Sequence, residues 1–143
     1  MTPNLFSANS KITETVLIRI NQMGVPMWVS AYLSLHSGVW IVCGANGMYN
    51  LSHTIEVREW VPLPPKNSGV SNIHEVEDKT VALLRAFKSD SSLKPAIYSS
   101  KDSCWYYISY TNYSGLCASP YEWYPLPSVQ DAFIYEKNEG VLL

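Results

Sequence analysis

Glu59-Trp60-Val61-Pro62-Leu63-Pro64 recurs 63 residues later as Glu122-Trp123-Tyr124-Pro125-Leu126-Pro127. Five of the six positions are identical, and three of the five are Trp or Pro, which chance rarely repeats in register. The match extends upstream at an offset of 65: Thr15-Val16 with Thr80-Val81, Ala31 with Ala96, and Trp40 with Trp105. One two-residue deletion before the Glu-Trp motif reconciles the two offsets. A fixed internal period is the mark of a duplicated unit. The expected organisation is unit one at 11–65, a linker at 66–78, unit two at 79–128 and a tail at 129–143. The linker reading rests on Asn67-Ser68-Gly69 and the acidic Glu75, Glu77 and Asp78.

Inside each unit the local pattern is that of strands. Met27 to Ser34 and Val39 to Cys43 are rich in β-favouring residues and flank His36-Ser37-Gly38, which predicts a hairpin. Pro95 to Ser99 and Cys104 to Tyr110 flank Ser100-Lys101-Asp102 in the same way. Asn46-Gly47 is a turn dipeptide. The unit openings fit either a strand or a helical stripe; strands at 15–20 and 81–87 are favoured, with a helical turn at 73–78. Each Pro of the Glu-Trp-x-Pro motif lacks a backbone donor, so these segments are expected to leave the sheet as extended edges. The fold class is therefore mainly β or α+β: two repeated, small antiparallel β lobes, meander-like, packed together.

Composition excludes several functions. The chain has 143 residues, 47% hydrophobic and 15% charged, with a net charge of −2. Such a chain builds a core, and it offers no basic field for a nucleic-acid backbone. Residues 20–55 and 103–121 contain no Asp, Glu, Lys or Arg, but Ser, Asn, Gly and Pro interrupt both, so no membrane span is expected. Three cysteines without CxxC spacing fit a reducing, cytoplasmic setting. No signal peptide is read at the N-terminus.

The unit pattern resembles a domain-of-unknown-function family of short phage and prophage proteins. Its members end in a Thr-His-Trp-Met-Pro-Leu-Pro-like segment preceded by a Val-Leu-Val-type strand, a strand with a Tyr and a Gly/Asp-x-Trp strand. Unit one is similar at Val16-Leu17-Ile18, Ala31-Tyr32, Gly38-Val39-Trp40 and Glu59 to Pro64. Unit two is similar at Val81 to Leu84, Ala96-Ile97-Tyr98, Asp102 to Trp105 and Glu122 to Pro127. Glu59 and Glu122 stand where the family has His, so no role of that His transfers. The resemblance implies a phage or mobile-element protein acting in a host cytoplasm, and no activity.

Chemical candidates are few. His36, His53 and His74 lack metal-ligand spacing. Cys43 with His53 reads as a core thiol near a loop histidine rather than a nucleophile and base. Glu59 and Glu122 read as solvated charges that keep an edge strand from pairing, rather than a carboxylate pair. No cofactor or metal is expected. Aromatics are the denser signal, because the Trp105–Tyr110 strand has more rings than one face can bury. The expected binding site is on unit two or in the groove between units: Tyr106, Tyr110, Tyr113 and Tyr121, with Trp28 or Tyr49 from unit one and Arg58 as the cation. The expected function is non-enzymatic binding of a host protein, inhibiting a host or anti-phage defence activity. The alternatives are an aromatic pocket sequestering a nucleotide-like small molecule, a small hydrolase using His and a carboxylate, and a virion or assembly protein. A homo-oligomer is compatible with each.

Overall fold

The computed structural model describes residues 3–7, 12–22, 25–44, 47–71, 75–108, 113–117 and 119–127. Among them there is no helix, and about half lie in strands. Twelve strands follow in chain order: β1 (Asn4–Leu5), β2 (Val16–Gln22), β3 (Val25–Leu33), β4 (Trp40–Gly44), β5 (Gly47–Asn50), β6 (Glu59–Pro62), β7 (Val70–Ser71), β8 (Val81–Arg85), β9 (Lys94–Ser99), β10 (Cys104–Ile108), β11 (Tyr113–Cys117) and β12 (Glu122–Pro125). They form two six-stranded antiparallel sheets, ordered β1-β6-β2-β3-β4-β5 and β7-β12-β8-β9-β10-β11. The second order is the first with every number raised by six, so the two halves share one topology.

Register makes the equivalence residue by residue. Trp60 faces Ile18 and Trp123 faces Leu84. Leu33 faces Trp40 and Tyr98 faces Trp105. Val16 pairs with both Ala31 and Pro62, just as Ala82 pairs with both Ala96 and Pro125. Val16 therefore corresponds to Ala82, not to Val81. The Thr-Val match used to align the unit openings is a coincidence of composition, one residue out of register. The offset is 66 in β2, 65 in β3 and β4, and 63 in β6. Each change falls in a connection, where length is tolerated.

The hairpins over residues 25–44 and 94–108 and the strands that open each unit match the sequence expectation. Residues 75–78 carry no helical turn, and 73–74 lie outside the described residues. The 66–78 segment is more than a connection, since it contributes β7 to the second sheet. β1 likewise adds Asn4–Leu5 ahead of the expected start of unit one. The Glu-Trp-x-Pro segments are not edges either: β6 lies between β1 and β2, and β12 between β7 and β8. Proline is tolerated because β1 reaches only Glu59 and Trp60, and β7 only Glu122 and Trp123. Pro62 and Pro125 lie beyond that ladder, where no donor is needed.

Alternation along each strand sends side chains to two faces. On one face of the first sheet Val16, Ile18, Ile20, Val29, Ala31, Trp40 and Val42 form a core capped by Phe6, Leu51, Ile55 and Val57. The corresponding face of the second sheet holds Ala82, Leu84, Ala96 and Trp105 with Tyr98, Tyr107 and Trp123. Trp105 is the hub, 5.2 Å from the Tyr98 ring and 5.8 Å from that of Trp123. Between the sheets lie Leu17, Trp28 and Val61 against Leu83, Leu93 and Tyr124. By register these are the same three positions of each sheet. Val81, Ile97 and Ile108 also join the first sheet's cluster, so the cores are continuous. Ser30 fastens the contact: its Oγ donates to the Leu93 carbonyl at 2.9 Å and accepts from the Leu93 N–H at 2.7 Å.

Candidate functional site

The duplicated topology carries a duplicated ion pair. Antiparallel register sets Arg19 opposite Glu59, and Arg85 opposite Glu122. Directly opposed residues lie about 5 Å apart at Cβ, within reach of long side chains. The two copies then diverge.

In the second sheet the pair is sealed. Arg85 and Glu122 are 1% and 3% exposed. Arg85 Nε donates to Glu122 Oε1 at 3.0 Å, and an Arg85 Nη donates to the Asp90 carbonyl. The Tyr124 ring lies 5.9 Å from the guanidinium carbon. Glu122 also accepts from the Asn67 N–H at 3.0 Å, the Gly69 N–H at 3.3 Å and the Tyr124 hydroxyl. Gly69 is required for this approach, because a Cβ there would lie 2.7 Å from the Trp123 carbonyl oxygen. Burial alone would raise the Glu122 pKa. The donors from Tyr124, Asn67, Arg85 and Gly69 outweigh it and hold the carboxyl below the usual carboxylate range. The Tyr124 hydroxyl moves the other way, pushed up by burial and by the Glu122 carboxylate. This corrects the reading of Glu122 as a solvated edge charge: its loop folds over it.

In the first sheet the same pair stands open. Arg19 Nη1 and Glu59 Oε1 are 3.5 Å apart, and the side chains are 25% and 27% exposed. Beside them is a cleft of 300 Å³ whose described lining presents Arg19, Asn21, Thr54, Glu56 and Arg58 over Ile20, Pro26 and Ile55. Arg58 Nε lies 3.1 Å from Glu56 Oε2, with both side chains largely exposed. Exposed ion pairs of this kind contribute about 0–1 kcal/mol. The Arg58 guanidinium can therefore exchange its internal partner for a bound anion at small cost, with the less exposed Arg19 beside it. The chemistry available is recognition of a small anionic group by two arginine forks, an amide and a hydroxyl.

Among the described residues, those of the expected aromatic site are not brought together. Trp28 has no exposed surface and belongs to the contact between sheets, so it cannot line a binding site in this conformation. Its indole Nε1 has no acceptor among the described residues. Tyr106 is half-buried and donates to Asp102 Oδ2 at 2.6 Å. Tyr121 donates to Asn67 Oδ1 at the start of β12. The order β10-β9-β8-β12 separates Tyr106 and Tyr121 by three strand spacings, about 14 Å. Tyr49 is exposed on β5 of the other sheet. Tyr110 and the side chain of Tyr113 lie outside the described residues. Arg58 alone reaches the cleft, and it does so with Arg19, which sequence reasoning left out of the site. Composition already offers Arg19 with Lys11 and Arg58 as the cations of unit one; the signal that would have placed it in the site is its equivalence to Arg85, hidden by the one-residue error in aligning the unit openings.

Two other cavities are more apolar. One, of 420 Å³, lies where the two motifs end, between Leu17, Pro64, Pro65, Leu83, Tyr124 and Pro127. The other, of 450 Å³, is walled by Phe6, Trp40, Leu51, His53 and Val57. The Cys43 thiol is half-buried and its pKa is raised by burial, only partly countered by Lys94, which makes it a poor nucleophile. Among the described residues no group of three His, Cys, Asp or Glu side chains could hold a metal ion, and no helix is long and apolar enough to cross a membrane. No family model, curated protein or solved structure matches the chain.

Proposed function

We propose that this is a non-enzymatic binding protein in which the second lobe is the structural half and the first lobe carries the site, a cleft for a small molecule bearing an anionic group. The observation that supports it is the divergence of the duplicated pair: Arg85–Glu122 is sealed by its own chain, while Arg19–Glu59 borders a polar cleft shared with Arg58. A volume of 300 Å³ is at the small end of ligand pockets. The lining, two arginines and an acid over aliphatic side chains, suits a phosphate or carboxylate on a compact body. A nucleotide-like ligand fits the anion requirement. It would rest on aliphatic walls rather than stack between aromatic rings.

The test is calorimetry with adenosine monophosphate, phenyl phosphate and inorganic phosphate. At least one should bind, and Arg58→Ala should weaken it at least tenfold, about 1.4 kcal/mol, with an unchanged melting temperature. Equal affinity in a folded Arg58→Ala protein, or no heat from any of the three, removes the proposal.

A second reading keeps a host protein as the partner, in line with the phage resemblance. It is favoured by the uncharged stretch at residues 20–55, which leaves Leu35 and Met48 75% and 64% exposed. Surface without charge is unusual on a protein that has no partner. On this reading Leu35→Asp abolishes partner capture and leaves anion binding intact; Arg58→Ala does the reverse.

A further inference from the structure

The cleft beside Arg19 offers charge of both signs at close range. Arg58 Nε and Glu56 Oε2 are 3.1 Å apart, with 73% and 69% of their side chains exposed. Arg19 and Glu59 stand 3.5 Å apart on the neighbouring strands β2 and β6. Arg19, Glu56 and Arg58 line the cleft directly, over Ile55. Each guanidinium of the cleft is thus accompanied by a carboxylate. In the sealed copy the carboxylate is wrapped by its own chain, and Glu122 offers nothing to a ligand.

Mixed charge of this kind works against a plain anion. An anion that approaches Arg58 also approaches Glu56. Coulomb energy falls only as the inverse of distance, so the repulsion cancels much of the attraction. An anion seated on Arg58 also takes the place of Glu56. It then shields from water a carboxylate that has lost its counter-charge, which is unfavourable. An ammonium close to the ligand's anion relieves both effects, because it replaces Arg58 as the partner of Glu56.

We infer that the cleft selects a zwitterion, a compact molecule with an ammonium a few bonds from its phosphate or carboxylate. The inference rests on the cleft proposed above and narrows its ligand class. The anion takes Arg58 with Arg19 beside it, the ammonium takes Glu56, and the carbon body lies on Ile55. The short spacing follows from the protein, whose own opposite charges are 3.1 Å apart. Specificity comes from leaving the wrong ligand's partner unpaired. A plain anion strands Glu56, and a plain amine strands Arg58.

The experiment is calorimetry with two matched pairs: O-phosphoethanolamine against ethyl phosphate, and β-alanine against propionate. The members of each pair differ only in the ammonium. In at least one pair the ammonium-bearing member should bind the wild-type protein tighter, by roughly threefold or more. Glu56→Gln should abolish that preference with an unchanged melting temperature, and should bind the plain anion at least as tightly as before. Glu56→Lys should invert the preference. Arg58→Ala should weaken both members. If the ammonium gives no advantage in either pair while Arg58→Ala still weakens binding, the inference fails and the anion cleft stands. A preference that survives Glu56→Gln overturns the inference as well. No heat from any of the four probes removes the inference; if adenosine monophosphate, phenyl phosphate and inorganic phosphate are also silent, the cleft itself is removed.

Discussion

The Arg85–Glu122 and Arg19–Glu59 pairs occupy one position in two copies of one fold, yet they differ in environment. A loop crosses the first of them: Asn67, at φ 66°, and Gly69 direct two backbone N–H groups at the carboxylate. The second borders a cleft. The contrast teaches that an identical register and an identical pair do not fix a role; the segment laid over the pair does. A sealed pair rigidifies, because its carboxylate is held by donors from the loop, from Tyr124 and from Arg85 at once. An open pair keeps groups that can trade partners.

The largest test of that contrast removes the carboxylates. Glu122→Ala leaves Arg85 buried without its counter-ion and should cost about 3–5 kcal/mol in denaturant unfolding. Glu59→Ala should cost less than about 1 kcal/mol. Similar losses at both sites would show that the two pairs are energetically alike. Next, Gly69→Ala should force the sealing loop off the Trp123 carbonyl and cost about 1–3 kcal/mol. A neutral result there would mean that the loop is not held against β12.

Acid should act through the sealed copy. The folded Glu122 pKa lies below its unfolded value of about 4.3, so its ionisation contributes stability that is complete above that value. The contribution is lost as pH falls through the lower, folded value. Glu122→Gln should therefore flatten the stability profile below about pH 4.3. Asp78 shifts in the same direction, through the Ser100 backbone N–H, and accounts for part of the slope that remains. Parallel wild-type and Glu122→Gln profiles would remove Glu122 from the acid response. The smallest expected effect is Arg58→Ala, within about 0.5 kcal/mol in stability; a larger loss would make the cleft's arginine a structural residue.

Much of the fold was legible because its signals are local. Hairpins announce themselves through β-favouring runs around short polar turns, and six residues dense in Trp and Pro reveal the duplication. What escaped was set by tertiary context. Val70-Ser71 is too short to read as a strand and pairs only because β12 is there to receive it. Trp28 alternates correctly along β3, but the face it joins is covered by a second sheet rather than open to a ligand. Glu122 sits in a polar, proline-rich stretch that suggests solvent, and only the return of residues 65–69 buries it. The tyrosines near residues 105–124 are dense in sequence, but Tyr106 and Tyr121 lie apart in space, because the sheet order inserts β9 and β8 between β10 and β12. Arg19 and Arg58 were both within reach of composition, as cations of unit one; that they share a cleft required the fold.

The sheet-to-sheet contact uses Leu17, Val61 and Trp28 on one side and their counterparts Leu83, Tyr124 and Leu93 on the other. A patch that meets its own counterpart is how two identical subunits join. The chain is thus built like a homodimer whose subunits have been tethered head to tail, with Pro65 to Gly69 as part of the tether. Tethering raises the effective concentration of one half around the other to the millimolar range. It also frees each half to change alone. A true homodimer must alter both copies of a site at once, whereas here one guanidinium–carboxylate pair could be entombed for strength while its twin stayed in contact with solvent.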